Sequence, residues 1–239
     1  MKVKIATWNI NSIRLREDHV CELLRQKQPD ILCLQELKSP TLSVPTRQFE
    51  QLGYKYRVLR GEKGYNGVAI ISRIPLFDVH HHDYCSRGDA RHVSAKLSNG
   101  VEIQNFYVPA GGDIADRDQN DKFAHKLNFL DEMKTVFSKN SVSKTILVGD
   151  LNIAPLENDV WSHKQLSNVV SHTPIEIDAL RKVAEAGNFV DITRKDIPNG
   201  LLYSWWSYRS SNWSASDRGR RLDHIWATSD IAAQGHSSF

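Results

Sequence analysis

Cysteine is scarce in this sequence, and long apolar runs are absent. The three cysteines, Cys21, Cys33 and Cys85, are odd in number and lack metal-site spacing. This usage favours a reduced cytoplasm over a secreted disulfide scaffold. No segment approaches the roughly 18 uninterrupted apolar residues of a membrane span, and the opening MKVKIATWNI lacks the apolar core and cleavage site of a secretory signal. We therefore expect a cytoplasmic protein without membrane association.

Linkers, low-complexity tracts and fixed-period repeats are also missing. The 8 prolines and 13 glycines are scattered along the 239 residues, which predicts one domain spanning residues 1–239. The formal net charge of +3 permits a polyanionic partner but is too small to argue for one, so the distribution of charge matters more than its sum.

Apolar patterns predict strands mixed with helices. One apolar run lies within PDILCLQELK, and other strands are predicted at residues 3–10, 54–59, 67–72, 92–97, 101–108 and 222–228. Helices are predicted at residues 12–28, at residues 120–137, and from Pro174 to about Gly187, where Thr173 and Glu176 form a capping box. This density of elements predicts an α/β fold with two sheets sandwiched by helices.

The stretch KTILVGDLNIAP places polar residues at the end of a buried strand. Ile146 to Val148 form the apolar run, and Asp150 and Asn152 follow it closely. A carboxylate beside a core is normally hydrogen-bonded, paired or bound to a cation, because an unpaired one costs several kcal/mol. An alternative interpretation is an Asx turn that closes the strand before Pro155.

Other apolar runs end in the same way. The polar residues at these ends are Asn9, Glu36, Tyr107, Asp150, Asn152 and Asp223. If the strand ends meet at one edge of a sandwich, their oxygen atoms would suit a hard divalent ion such as Mg²⁺. The chemistry indicated is metal-assisted phosphoester hydrolysis.

The motifs around these residues resemble a known family. In order and approximate spacing, TWNINS, LQELK, FYVPAGG, GDLNIAP, SWWSYRS and RRLDHIW are similar to those of the exonuclease III type of apurinic/apyrimidinic endonucleases, within the endonuclease/exonuclease/phosphatase superfamily. The resemblance implies a four-layer α/β sandwich and a monomeric enzyme that uses Mg²⁺, or alternatively Mn²⁺, to cut DNA phosphodiesters. The implied substrates are double-stranded DNA with abasic sites, recessed 3′ ends or 3′-blocking groups.

The resemblance also implies roles around a metal ion. Glu36 corresponds to the principal metal carboxylate, Asn9 supports the metal site, and Asp150 positions or activates the attacking water. Glu36 could instead be a solvated charge at a strand end, and Asn9 could be a backbone cap.

Three further residues correspond to groups around the scissile phosphate. Asn152 would hold a phosphate oxygen, Tyr107 would bond the phosphate or help the leaving oxygen, and Asp223 would orient a histidine. Asn152 could also be a backbone cap, Tyr107 could merely pack a core edge, and Asp223 could pair with Arg220 or Arg221.

Aromatic and basic residues alternate in the segment YSWWSYRSSNWSASDRGRRLDH. Arginines contact phosphates without reading sequence, and exposed aromatic rings stack on extruded nucleotides. By resemblance, Trp205 and Leu222 line the pocket for the base-less sugar, although Trp205 and Trp206 could simply alternate between core and surface. The residues predicted to bind DNA are Trp205, Arg209, Arg218, Arg220 and Leu222, with Arg14, Arg16 and Lys38 as an extended basic rim.

The sequence after LDHIW departs from the family pattern. Family members continue to a final strand with a Ser-Asp-His motif, whereas this chain ends in SDIAAQGHSSF, and His236 has neither the preceding Asp nor a following apolar strand. We therefore expect a truncated form in which Asp223 lacks its partner and hydrolysis is severely reduced. The alternatives are a catalytically impaired DNA-binding form and a phosphatase or phosphodiesterase of the same superfamily acting on inositol phosphates or phospholipids.

Overall fold

The computed structural model describes residues 2–139, 142–207 and 212–234. In these ranges the strands are β1 (Ile5–Asn9), β2 (Ile31–Gln35), β3 (Tyr56–Arg60), β4 (Val68–Ser72), β5 (Phe77–His80), β6 (His92–Lys96), β7 (Glu102–Tyr107), β8 (Thr145–Asp150), β9 (Phe189–Asp191), β10 (Trp205–Trp206), β11 (Gly219–Arg220) and β12 (Asp223–Thr228). The helices are α1 (Glu17–Lys27), α2 (Arg47–Gln51), α3 (Asp121–Lys139), α4 (His163–Leu166), α5 (Pro174–Ala186), α6 (Ile192–Asp196), α7 (Trp213–Ser216) and α8 (Ser229–Ala232).

The long predicted helices form, with adjusted ends. Helix α5 begins at Pro174 and has the predicted capping box between Thr173 and Glu176. Helix α1 begins at Glu17 rather than at residue 12, because Asn11 and Ser12 adopt φ angles of 46° and 96° that a right-handed helix does not allow.

The described chain falls into two compact units that interleave along the sequence. The first unit contains Met1–Tyr107 and Lys144–Asp150, and the second contains Val108–Ser143 and Leu151–Phe239. The prediction of one domain over residues 1–239 stays a prediction.

The first unit contains two sets of hydrogen-bonded strands, each with both parallel and antiparallel neighbours. One sheet has the order β1-β2-β4-β3, with β1 and β2 parallel and the other neighbours antiparallel. The other run has the order β5-β6-β7-β8, in which β7 and β8 are parallel. Buried amides join them, since Gln35 Nε2 donates to Asn105 Oδ1 at 2.7 Å and Asn105 Nδ2 donates to the carbonyl oxygen of Leu34 at 3.0 Å.

Helices α1 and α2 contribute to an apolar cluster with the first sheet. Val20 and Leu24 of α1 and Phe49 of α2 are buried with Leu34 of β2 and Ile71 of β4. Strands β2 and β4 are buried along their full length, which explains their nearly continuous apolar sequences.

Helix packing organises the second unit. Helix α3 packs against α5, and Phe123 and Leu127 of α3 form an apolar cluster with Val170. Strand β12 pairs with β9 in antiparallel fashion, and β10 pairs with β11. None of the helices in the described ranges has the length and apolar character needed to cross a membrane.

Together these elements confirm the predicted α/β class with mixed sheets flanked by helices. Strands β5 and β9 escaped prediction for a physical reason. Strand β5 alternates apolar and polar residues, but it has only four residues and all of them are exposed. Strand β9 has only three residues, so both are too short to give a distinct strand signal.

Candidate active site

Parallel strand pairs bring four predicted site residues to strand ends in the first unit. In the register of β1 and β2, Asn9 lies opposite Gln35, the residue before Glu36. In the register of β7 and β8, Tyr107 lies directly opposite Asp150. Because neighbouring parallel strands end at the same edge of a sheet, each pair presents its polar groups together.

These four residues form one hydrogen-bonded group, which we call the carboxylate cluster: Asn9, Glu36, Tyr107 and Asp150. Asn9 Nδ2 donates to Glu36 Oε1 at 2.8 Å and to Asp150 Oδ2 at 2.8 Å. The Tyr107 hydroxyl donates to Glu36 Oε1 at 2.9 Å. The charge that follows the apolar run of β8 is therefore not isolated, since a neutral amide joins it to a second carboxylate.

Asn9 also has the local role considered as an alternative. Its Oδ1 accepts a hydrogen bond from the backbone N–H of Asn11 at 3.1 Å, an Asx-type contact two residues ahead. The two ends of one amide thus perform different tasks. The oxygen fixes the turn after β1, and the nitrogen holds the two carboxylates.

Lys38 pairs with the cluster rather than only extending a basic rim. Its Nζ lies 2.7 Å from Glu36 Oε2 and 2.5 Å from Asn11 Oδ1. Burial raises the pKa of Glu36, but hydrogen bonds from Asn9, Lys38 and Tyr107 and the charge of Lys38 more than offset it. The pKa of Glu36 therefore lies below its ordinary value, and its carboxylate is ionised at neutral pH.

Tyr107 keeps its proton. Burial raises its pKa well above the ordinary value, and the negative charges of Glu36 and Asp150 act in the same direction, although Arg91 opposes them. The Arg91 guanidinium lies 4.8 Å from the centre of the Tyr107 ring. The phenol is therefore a hydrogen-bond donor in this site.

The backbone around the cluster is strained. Glu36 has a φ of 55°, an uncommon conformation for a residue with a long side chain. Gly149, directly before Asp150, has a φ of 139°, and a Cβ atom there would lie 2.0 Å from the carbonyl oxygen of Phe106. Positive φ angles in residues other than glycine concentrate at functional sites, as at Glu36, whereas glycine adopts its φ at position 149 without strain.

Oxygen atoms dominate the cluster, which bears on the metal it could hold. Within residues 2–139, 142–207 and 212–234, no group of three or more His, Cys, Asp or Glu side chains is arranged to hold a metal ion. Mg²⁺ usually takes only one or two protein carboxylates and keeps several waters. The ionised Glu36 beside Asp150 fits that requirement.

Asn152 belongs to the second unit and is held by a distant partner. Its Nδ2 donates to the carbonyl oxygen of Val108 at 2.9 Å. Its backbone carbonyl oxygen accepts a hydrogen bond from Lys126 Nζ at 2.8 Å, and its φ is 55°. These contacts tie the segment after β8 to segments far away in the sequence, which a local Asx turn would not do.

Asp223 is held by a serine and not by an arginine. Ser204 Oγ donates to Asp223 Oδ2 at 2.7 Å, whereas Asp223 Oδ1 has no hydrogen-bond partner among the described residues. Burial raises the pKa of Asp223 to about 6, and the hydrogen bond from Ser204 only partly opposes this. His236, the histidine weighed as its partner, lies outside the described residues.

Arg221 and Arg220 have other partners in the second unit. Arg221 Nε donates to Asp159 Oδ1 at 2.8 Å and Arg221 Nη1 donates to Asp191 Oδ2 at 2.7 Å. Arg220 Nη1 donates to Ser171 Oγ at 2.7 Å. The proposed pairing of Asp223 with either arginine is therefore not observed among the described residues.

The aromatic and basic segment has both exposed and buried members. Trp205 is 36% exposed, and the Arg220 guanidinium lies 5.8 Å from the centre of its ring. Arg218 stacks over Trp161 at 4.6 Å. Arg209 lies outside the described residues.

Leu222 is buried. It is 6% exposed and belongs to an apolar cluster with Ala154, Val160 and Leu166. A separate cavity of about 220 Å³ lies beside the segment, lined by Trp206, Ser207, Trp213, Ser216 and Arg218.

Comparison with known proteins identifies the family. The model of the Endonuclease/Exonuclease/phosphatase family matches residues 6–239. An exodeoxyribonuclease of Bacillus subtilis is 29% identical over 97% of this chain and 90% of its own length. A solved AP endonuclease from Archaeoglobus fulgidus has a TM-score of 0.89 and 35% identity, with 98% of this chain and 89% of that chain covered.

A second solved structure, the 3′ phosphatase NExo from Neisseria bound to a product DNA hairpin, has a TM-score of 0.87 and 30% identity. That likeness covers 97% of this chain and 89% of the other. Both structures share at least 30% sequence identity with this chain, so the likeness is one of sequence as well as fold. The family model also matches almost the whole sequence. The chain therefore belongs to the endonuclease/exonuclease/phosphatase family, as a phosphodiesterase of its exonuclease III type.

Proposed function

We propose that this protein hydrolyses phosphodiesters in double-stranded DNA at abasic sites and at recessed or blocked 3′ ends, with Mg²⁺ as the physiological ion. Proteins of this family generally depend on a divalent metal. The observation that carries the proposal is the carboxylate cluster, in which one amide nitrogen lies 2.8 Å from two carboxylates. The relatives named as exodeoxyribonucleases and AP endonucleases support the choice of DNA.

In this proposal Glu36 is the main metal ligand and Asn9 holds it in place. The hydrogen bond from Asn9 and the one from Tyr107 leave Glu36 little rotational freedom. A bound Mg²⁺ or Mn²⁺ would supply Lewis-acid stabilisation of charge that develops on the phosphate oxygens. Because Asn9 and Tyr107 already hold Glu36 in place, the site needs little rearrangement when charge develops on the phosphate.

The remaining site residues act on water and phosphate. Asp150 accepts a proton from, or orients, the attacking water, a task for a carboxylate within hydrogen-bond reach. Asn152 donates an amide hydrogen to a phosphate oxygen. Tyr107, protonated at neutral pH because of its raised pKa, donates a hydrogen bond to the phosphate or the leaving oxygen.

DNA contacts are assigned to the second unit. Arg218 and Arg220, with Arg209, supply phosphate contacts, and Trp205 with Leu222 borders the sugar left without a base. Asp223 orients the group that contacts the phosphate. We further propose a cytoplasmic monomer, since Cys21 and Cys33 are buried free thiols, which suit a reducing compartment; size-exclusion chromatography with light scattering tests the monomer.

The decisive experiment compares Glu36→Gln with the parent on a duplex oligonucleotide that carries one tetrahydrofuran abasic site. We expect cleavage by the parent to require Mg²⁺, and the variant to lose at least about 100-fold in kcat while it still unfolds in one cooperative thermal transition. Glu50→Gln is the matched control, because Glu50 forms an exposed ion pair with Arg57. Cleavage by the Glu36→Gln variant at the parent rate in saturating Mg²⁺ would contradict the proposal.

A further inference from the structure

A fully buried ion pair lies inside the second unit. Lys126 Nζ of α3 is 2.5 Å from Glu176 Oε1 of α5, and both side chains are 0% exposed. The carboxylate is itself fixed, because its oxygens accept from the backbone N–H of Ser171 at 3.0 Å and from the hydroxyl of Thr173 at 2.6 Å. The ammonium group is therefore held by a carboxylate that cannot easily move.

The same ammonium group binds two carbonyl oxygens. Lys126 Nζ donates to Asn152 at 2.8 Å and to Ala110 at 3.2 Å. Ala110 stands in the segment that follows Tyr107, and Asn152 stands in the segment that follows Asp150. With the bond from Asn152 Nδ2 to the Val108 carbonyl, these contacts link the two segments through both the main chain and the side chain of Asn152.

A glycine permits this close approach. Gly111 has a φ of 91°, and a Cβ atom there would lie 3.0 Å from Lys126 Cδ and 3.0 Å from Val170 Cγ1. A side chain at this position would push the lysine stem away from the Ala110 carbonyl. The segment sequence PAGGD is thus matched to the path of Lys126.

Stability alone gives a poor reason for such a pair. Removing two charges from water costs free energy that their attraction often fails to recover, so apolar residues of similar volume usually serve a core as well. Asn152, in contrast, has a φ of 55°, in the left-handed region that Asn adopts more readily than most residues but that is one of several backbone conformations open to it. The Lys126 contact to the Asn152 backbone carbonyl holds the residue in this one conformation.

We propose that Lys126 and Glu176 are a positioning pair that fixes the backbone of Asn152 and thereby the place from which its side-chain amide contacts a phosphate oxygen. This inference rests on the proposed role of Asn152 in DNA cleavage. Neither residue of the pair touches the substrate. Glu176 also caps α5, and the test must separate that structural task from positioning.

The test is a double-mutant cycle between the pair and Asn152. The parent, Lys126→Met/Glu176→Gln, Asn152→Ala and the combined variant are compared for kcat, KM and melting temperature on the abasic duplex. The matched control is Arg181→Met/Glu185→Gln, which removes an exposed ion pair from the same helix α5. We expect the buried-pair variant to lose 10- to 100-fold in kcat with KM changed less than 3-fold, and the control to keep parental activity.

Non-additivity distinguishes positioning from general damage. If the pair acts through Asn152, adding Asn152→Ala to the pair variant should cost less than 3-fold beyond Asn152→Ala alone. The inference is overturned if the loss in kcat of the combined variant equals the product of the losses from the pair variant and from Asn152→Ala. It is also overturned if the pair variant folds and has parental kcat. Both outcomes leave the role of Asn152 in place. If Asn152→Ala alone cleaves at the parental rate, the proposed role of Asn152 fails and the positioning inference falls with it.

A second variant covers the case in which the first does not fold. Lys126→Arg/Glu176→Asp keeps both charges but changes their reach, so the pair remains neutral overall while the contact to the Asn152 carbonyl is displaced. We expect a folded protein with the same loss in kcat and the same non-additivity with Asn152→Ala. Parental kcat in this variant overturns the inference.

Discussion

Replacing Asp223 with Asn should make the protein more stable and less active. Asp223 has a buried carboxylate oxygen, Oδ1, without a hydrogen-bond partner among the described residues, and burial raises the pKa of Asp223 to about 6. Ionising it at neutral pH therefore opposes folding, and an amide of nearly the same shape removes that cost. A carboxylate kept in spite of such a cost is expected to have a functional role, so activity should fall. Parental activity of the variant would agree instead with the expectation from the sequence that Asp223 lacks its histidine partner.

The size of the stability change follows from the pKa. The pKa of about 6 lies about 2 units above the value of an unfolded Asp, which corresponds to at most about 3 kcal/mol. Asp223 is only partly buried as a whole residue, so solvent screening reduces this to roughly 1–2 kcal/mol. For a chain of 239 residues that is an increase in melting temperature of about 2–8 °C.

The stability of the parent should fall as the pH rises past the ordinary pKa of an Asp side chain. Between about pH 4 and pH 6 the unfolded chain has ionised Asp223 while the folded protein still holds its proton, so the parent loses stability as pH rises through this window. The difference in melting temperature between Asp223→Asn and the parent should grow across the same window and stay constant above pH 6. Differential scanning calorimetry at pH 4, 5, 6, 7 and 8 measures this difference.

Asp159→Asn is the matched control, because Asp159 is a fully buried aspartate that binds Arg194 and Arg221. Its neutralisation leaves two buried guanidinium groups without a full counter-charge and should destabilise by about 3–5 kcal/mol. Opposite signs for two buried Asp→Asn changes would confirm the reasoning. An Asp223→Asn variant that is less stable than the parent at pH 8 by the same amount as at pH 4 would refute it.

Three further outcomes follow from the described contacts. Tyr107→Phe should lower the melting temperature by several degrees and reduce kcat, because it removes a partly buried hydrogen bond to a charged Glu36 worth about 1.5–3 kcal/mol; parental stability would contradict this. Gly149→Ala should fail to fold or lose several degrees in thermal unfolding, since its Cβ would meet a carbonyl oxygen at 2.0 Å. Arg218→Ala should reduce the slope of log binding constant against log salt by about one, measured by fluorescence anisotropy with duplex DNA, and an unchanged slope would exclude a phosphate contact.

Regular periodicity made the long elements predictable. The apolar repeat of α3 is visible in the sequence because Phe123, Leu130, Met133 and Phe137 are all buried on one face. Strand β5 could not be predicted, because an exposed strand is selected by pairing with a neighbour and not by its own composition.

The site was predictable in part for the same reason. Polar residues at the ends of apolar runs stand out in the sequence, as Glu36 and Asp150 do. Lys126 and Glu176 did not stand out, since a lysine on a helix is ordinarily a solvated residue and their contact joins positions 50 apart. The capping box at Glu176 was visible, but nothing local shows that its carboxylate also receives an ammonium group from another helix.

The interleaving of the two units sets an order on synthesis. The first unit needs Lys144–Asp150, so its strand β8 is supplied only after the intervening 108–143 segment has been made. Until residue 150 leaves the ribosome, Asn9 and Glu36 have no Asp150 to join, and the nascent first unit exposes the edge of β7 to which β8 will pair. The growing chain should therefore be open to mispairing of this strand edge during the interval, and a pause in translation before residue 144 should prolong its exposure.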